Sequence, residues 1–169
     1  MKPKRQNKRE FSELIKTHQK IIHKITFVYT NSPADREDLF QEICLQLWES
    51  YTNFREESRF STWMYRVALN TAISNIRKKN KNIALEPLSR YKQIQDDTSG
   101  EKDEVKQLYQ AISKLNQIDK AIILLWLEEK SYEEIASIMG TSKSNISVKL
   151  VRIKRKLEEK ILETIKQEP

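Results

Sequence analysis

The densest set of groups suited to holding an anion lies near the C-terminus. Between Lys143 and Lys160 stand Lys143, Lys149, Arg152, Lys154, Arg155, Lys156 and Lys160. Only Glu158 and Glu159 oppose them, so seven cations against two anions leave a net charge of five. Apolar Ile146, Leu150, Ile153 and Leu157 recur through the same stretch at helical spacing, which puts the cations on the rest of a helix surface. Just upstream runs Ser131-Tyr-Glu-Glu-Ile-Ala-Ser-Ile-Met-Gly140, followed by Thr141 and Ser142. Ser131 and Glu134 have the spacing of a capping box, in which hydroxyl and carboxylate each satisfy a free backbone N–H. Tyr132, Ile135, Ala136 and Met139 give that helix an apolar side. Gly140 suits a turn with positive φ, and Ser142 can cap the next helix. A capped helix, a glycine turn and a capped basic helix make a DNA-binding helix-turn-helix, with the charge placed for phosphates beside a major groove. An ordinary helical hairpin with a solvated basic face is the plainer alternative, and the coincidence of turn, caps and charge disfavours it.

Two further constellations lie in the N-terminal half. Arg66 and Asn70 share a helix face with Arg77 and roughly with Arg59. Several cations and an amide on one face could hold single-stranded DNA, since phosphates need charge and unstacked bases need hydrogen bonds. Asp38, Glu42, Leu45 and Glu49 form an acidic stripe with Gln41 nearby, which taken alone reads as a solvated face. Other tempting groups carry no chemistry. His18 and His23 are five apart, which does not put two imidazoles on one helical face. Cys44 sits in an apolar stripe as a small hydrophobe, and as the single cysteine it can form no internal disulfide. No serine has a nucleophile-elbow setting, and two isolated glycines build no phosphate loop. No catalytic constellation, metal site or cofactor is expected.

The elements that position these groups are helices. The chain has 169 residues, 38% of them apolar and 33% charged, with only two glycines and four prolines. So few turn residues exclude a strand-rich fold and predict an all-α protein. Apolar spacing predicts a first helix through Phe11, Leu14, Ile15, Ile22, Ile25 and Tyr29, ending before Pro33. A second helix runs from Ala34 to Tyr51 with the stripe Phe40, Ile43, Cys44, Leu47, Trp48 and Tyr51. A polar loop over Asn53 to Arg59 follows. The third helix spans Ser61 to Lys79, with Tyr65, Leu69, Ala72, Ile73 and Ile76 in one stripe and Trp63 and Met64 widening it. Weak periodicity, Pro87 and Asp96-Asp-Thr-Ser-Gly100 mark a flexible linker over 80–104. Helices over Val105 to Leu115 and Asp119 to Leu127 then precede the pair Tyr132 to Met139 and Lys143 to Ile165. Two small helical domains, 1–79 and 105–169, are the expected organisation.

Net charge is +7, which favours a polyanionic partner. The longest apolar run, Ala121 to Leu127, falls far short of the roughly 20 residues a membrane span needs. The basic start, Lys2 to Arg9, is followed by no signal-type apolar stretch, so a disordered tail and a cytoplasmic location without membrane insertion are expected.

Two N-terminal segments narrow the function. Asp35-Arg-Glu-Asp-Leu-Phe-Gln-Glu-Ile-Cys-Leu-Gln-Leu-Trp48 and Phe60-Ser-Thr-Trp-Met-Tyr-Arg-Val-Ala-Leu-Asn-Thr71 together resemble the second region of extracytoplasmic-function sigma factors of bacterial RNA polymerase. The helix-turn-helix block resembles their fourth region, and a linker stands in place of the third region of larger sigma factors. The resemblance implies a non-enzymatic subunit that binds core RNA polymerase and directs promoter DNA binding, melting and initiation. It assigns Asp38, Leu39, Gln41, Glu42 and Leu45 to the polymerase contact. It assigns Arg59, Arg66, Asn70 and Arg77 to the minus-ten element, with Asn70 on a base and the loop over Asn53 to Arg59 receiving a flipped base. In the recognition helix it points to Ser147, Lys149 and Arg152 in the major groove, Lys143 and Ser144 near the helix start, and Lys154 and Arg155 beyond. Asn145 and Ile146 stand where a Thr-Val pair is frequent, and Ser147 where a cation is common, so the upstream sequence is left open. Many members of this family have an anti-sigma partner, and one is expected here. A stand-alone helix-turn-helix regulator is the alternative, which would need a ligand pocket or dimer face in the N-terminal half.

Overall fold

The computed structural model describes residues 4–83 and 103–167, with side chains over 8–80 and 103–167. Seven helices follow one another among these residues: α1 (Lys4–Tyr29), α2 (Pro33–Tyr51), α3 (Phe60–Ile83), α4 (Asp103–Ser113), α5 (Gln117–Leu127), α6 (Tyr132–Met139) and α7 (Lys143–Gln167). The chain divides into two compact units, Met1–Tyr91 and Lys92–Pro169. The protein is all-α, as its few turn residues predict.

In the N-terminal unit α1, α2 and α3 pack pairwise. Ile22, Ile25, Val28, Leu39, Ile43, Leu47, Met64, Ala68, Leu69 and Ala72 fill the space between them. Thr26 is fully buried among them, and its hydroxyl donates to the His23 carbonyl at 3.0 Å. The break between α1 and α2 is built from Ser32, which caps α2 by accepting from the Asp35 N–H at 3.0 Å, with Pro33 in the first turn where its missing N–H costs nothing. Lys79 closes the far end, its ammonium 3.1 Å from the Asp35 carboxylate. That contact holds the Asp35 carboxyl below its ordinary range. His18 and His23 pack against Phe60 and Phe40, at 5.2 and 4.9 Å between ring centres, as ordinary packing residues.

Most helix limits lie beyond expectation, while α4 stops at Ser113, two residues short of the expected Leu115. Helix α1 starts at Lys4, not after a disordered stretch to Arg9, because Lys, Arg, Gln and Glu favour helix and no breaker stands between them. Helix α3 runs on to Ile83 and α4 begins at Asp103, so both ends of the expected linker are helical. The rest of that linker, and Lys2 and Pro3, lie outside the described residues.

In the C-terminal unit α4, α5 and α6 surround α7, which buries Ile146, Leu150, Ile153 and Leu157 along one side. Helix α5 starts two residues early because Asn116 caps it, accepting from the Asp119 N–H at 2.9 Å. The capping box of α6 is present in both directions, at 3.1 and 2.9 Å. Gly140 ends α6 at φ 68°, ψ 39°, and the Thr141 N–H donates to the Ala136 carbonyl at 3.0 Å. Ser142 then caps α7 through the Asn145 N–H at 3.1 Å. The face that α6 buries is Ile135, Ala136 and Ile138, with Tyr132 and Met139 only half-buried.

Candidate functional site

Helix α7 presents its surface in three strips. Opposite its buried line, at about 100° per residue, lie Ser144, Val148, Val151 and Arg155. Val148 and Val151 are 51% and 58% exposed, and Ser144 and Arg155 are also exposed. The valines were not among the residues singled out from sequence. Their signal was their place off the apolar stripe, and apolar side chains on such a face can meet thymine methyl groups.

On one flank Lys149, Arg152 and Lys156 border a polar notch of about 150 Å³ that also takes in Asn116 and Asp119. Among the described residues, no carboxylate pairs with Lys149, Arg152 or Arg155. Lys156 does have a partner: its ammonium lies 3.3 Å from the Asp119 carboxylate.

The other flank holds Lys143, Ser147 and Lys154. Lys143 pairs with Glu133 of α6 at 2.7 Å, which raises the lysine above its usual range and lowers the glutamate below its own. Ser147 is half-buried. Lys154 folds its ammonium over the Trp126 ring, 4.0 Å from the centroid, beside an apolar groove lined by Leu108, Ile123, Trp126, Leu157 and Ile161. The structure therefore separates Lys154 from the Lys149 and Arg152 flank, because five and two steps of the helix carry it to the opposite side. The charge counted along the sequence overstates the net positive charge of the α7 surface, since two carboxylates from α5 and α6 neutralise two of the cations.

In the N-terminal unit Arg66, Asn70 and Arg77 share one exposed face of α3, away from the buried Met64, Ala68, Leu69 and Ala72. Arg59, also exposed, closes the preceding loop, and its carbonyl accepts the Trp63 N–H at 3.1 Å. The loop between α2 and α3 is held by rings. Phe54 stacks on Tyr51 at 6.3 Å, tilts against Trp63 at 5.0 Å and meets Phe60 edge-on at 5.8 Å. Tyr51 and Trp48 both touch Phe11 of α1 at 5.1 Å. Burial, with Glu10 and Glu56 nearby, pushes the Tyr51 hydroxyl up, so it stays protonated. Glu56 takes φ 57° at the loop's bend, a left-handed conformation that a non-glycine residue adopts at some cost. Trp63 is half-buried in this cluster and Tyr65 is buried, matching their reading as packing residues.

Helix α2 turns Asp38, Gln41, Leu45 and Glu49 outward, with Glu42 half-buried at the edge. Leu39 does not join them. It is 2% exposed and packs in line with Ile43 and Leu47, four residues apart on the core side. The apolar part of this surface is instead Leu45, 49% exposed, with Trp48 at 38%. Trp48, expected in the core stripe, lies at its margin. Among the described residues no group of three or more metal-ligating side chains gathers, and no helix is long and apolar enough to cross a membrane.

Known proteins share both halves of this arrangement. Residues 14–82 match sigma-70 region 2, and residues 106–157 match sigma-70 region 4. The ECF RNA polymerase sigma-E factor of Haemophilus influenzae is 29% identical, over 92% of this chain and 89% of that protein. The RNA polymerase sigma factor SigV of Bacillus subtilis is 27% identical, over 90% of this chain and 91% of its own. Among solved structures, the sigma factor RpoE from Bartonella quintana, crystallised with the anti-sigma factor NepR, superposes with a TM-score of 0.75 at 19% identity. The match covers 90% of this chain and 96% of that one. CnrH, solved with the cytosolic domain of CnrY, gives 0.64 at 18% identity, over 90% and 88%. At such identity the structures speak for the fold, and the matches to region 2 and region 4 speak for the family. With a region 2 built on α1 to α3 and a region 4 built on α4 to α7, the chain belongs to the sigma-70 family of RNA polymerase sigma factors, in its extracytoplasmic-function group.

Proposed function

We propose that this chain binds core RNA polymerase as a dissociable, non-enzymatic subunit and works in the cytoplasm, where it carries the enzyme to promoters. The observation that carries this reading is the pairing, in one chain, of an outward acidic and apolar face on α2 with a helix-turn-helix whose outer strip is open. A stand-alone regulator has no use for the first. Asp38, Gln41, Glu42 and Leu45, joined by Trp48, form the polymerase-facing surface, with an apolar centre and charged rim of the kind protein interfaces use. Arg59, Arg66, Asn70 and Arg77 take the melted minus-ten strand, the cations on phosphates and Asn70 on a base edge. Ser144, Ser147, Lys149, Arg152 and Arg155 meet the upstream element, with Lys143 reaching it when its exposed pair opens. One fold relative was solved with an anti-sigma factor, and a similar inhibitor is the expected further partner.

Reconstitution tests the reading. Core polymerase with this chain should initiate from its cognate promoter, and Asp38→Lys with Glu42→Lys should weaken core binding in a fluorescence titration without changing helical content. Asn70→Ala should leave assembly and closed-complex binding nearly intact, and reduce permanganate-reactive thymines around the start site. A pre-melted template should restore only part of that loss, since the base contact stays absent. Unchanged core affinity in the charge-reversed protein would remove α2 from the interface, and wild-type melting in Asn70→Ala would remove Asn70 from the bubble.

A further inference from the structure

The two cations of α7 with internal carboxylate partners are held in very different ways. Lys143 and Glu133 are 61% and 63% exposed, so their pair opens readily and a DNA phosphate can replace the carboxylate. Lys156 is 52% exposed, but its partner Asp119 is 9% exposed at the side chain. The Asp119 oxygen that accepts from Lys156 also accepts from Asn116 Nδ2 at 2.9 Å. The Asp119 backbone N–H in turn donates to Asn116 Oδ1 at 2.9 Å, which fixes the residue in the first turn of α5. This carboxylate cannot swing into water. A lysine that left it would strand a buried charge, the costly way to break such a pair. Any phosphate approaching Lys156 also approaches the same carboxylate across the notch.

We infer that Asp119 sets the DNA affinity of this surface by withholding Lys156 from the phosphate backbone. The inference rests on the DNA-binding reading of α7. On this account Asp119 touches no DNA and acts only through Lys156. Attraction to phosphates is the same for every sequence, whereas base contacts are not. Holding one lysine back therefore lowers binding to all DNA and leaves sequence discrimination to the outer strip.

Salt titration of the full chain with a mixed-sequence DNA duplex, read by fluorescence anisotropy, decides the matter. Lys156→Gln should keep the wild-type slope of log affinity against log salt. Asp119→Asn, which preserves size and hydrogen bonding, should steepen that slope by about one and tighten binding roughly fivefold at about 0.15 M salt. The double variant should return to the wild-type slope, which a general change in surface potential would not do. A slope flattened by about one in Lys156→Gln alone would show that Lys156 already contacts phosphate, and the inference fails. An unchanged slope in Asp119→Asn with wild-type helical content also overturns it. Lys156→Gln keeps an amide donor beside the Asp119 carboxylate, so at wild-type helical content its slope still tests the inference if Asp119→Asn unfolds. In each of those cases the DNA reading stands, whereas a wild-type chain without salt-dependent DNA binding overturns both.

Discussion

In the C-terminal unit the loops that start α5, α6 and α7 are shaped by bonds between residues three apart: Asn116 with Asp119, Ser131 with Glu134, Ser142 with Asn145. In the N-terminal unit the corresponding loop is held by rings drawn from all three helices, with Phe11, Tyr51 and Trp63 around Phe54 and its neighbours. A cap fixes where a helix starts and little else, so damage to it stays local. A ring cluster fixes how three helices and a loop meet, so damage to it spreads. The first kind of order can be tuned in small steps, while the second is shared by everything that touches it.

The largest expected effect probes the N-terminal packing. Leu47 is fully buried, and Leu47→Ala should cost about 2–5 kcal/mol in chemical denaturation. Hydrogen exchange should show protection lost on α1 to α3 and kept on α4 to α7. Equal loss on both units would show that they unfold as one.

Phe54→Ala should come next, at about 1–3 kcal/mol, since three ring contacts go with it. Its signature is functional: promoter opening should fall more than upstream-element binding, measured on the same reconstituted polymerase. Phe54→Tyr, which keeps the ring, should recover most of the opening.

Gly140→Ala isolates the local kind of order. A Cβ at this position meets nothing within 4 Å, so the whole cost is the positive φ, about 1 kcal/mol in a thermal melt. A much larger loss would mean that the turn is coupled to the packing around it.

The smallest effect belongs to Asp35. Its folded carboxyl is depressed mainly by the hydrogen bond from Lys79, against an ordinary value of 3.8. Its stabilisation is therefore present above pH 3.8 and is lost as pH falls through the lower folded value. Both partners are 46% exposed, so Asp35→Asn should cost only a few tenths of a kcal/mol at neutral pH. The two proteins should converge in acid.

The same contrast explains what could be read from sequence. The capping box, the glycine turn and the buried line of α7 are short-range patterns, and each stands where the spacing puts it. The two-helical-domain architecture follows from helical periodicity and scarce turn residues. Departures occur where distant residues decide. Leu39 and Leu45 are both apolar on one helix, and only packing against α1 and α3 settles that Leu39 goes in and Leu45 stays out. Trp48 has the spacing of a core residue, yet it is 38% exposed beside Phe11. The pairing of Lys143 with Glu133 and of Lys156 with Asp119 joins different helices, so no count along α7 could reveal it. Helix α3 outran its expected end because polar Asn80 to Asn82 weaken the periodicity without breaking the helix.

Cys44 lies half-buried on α2, and burial pushes its thiol above the usual value of 9.0. At neutral pH it is almost wholly protonated, and the thiolate is the form that reacts with peroxide, disulfides or alkylating agents. The sole sulfhydryl of the chain is thus poorly suited to sensing oxidants. Maleimide modification of the native protein at pH 7 should be slow and should accelerate on unfolding, which makes Cys44 a chemical clock for the opening of the N-terminal unit.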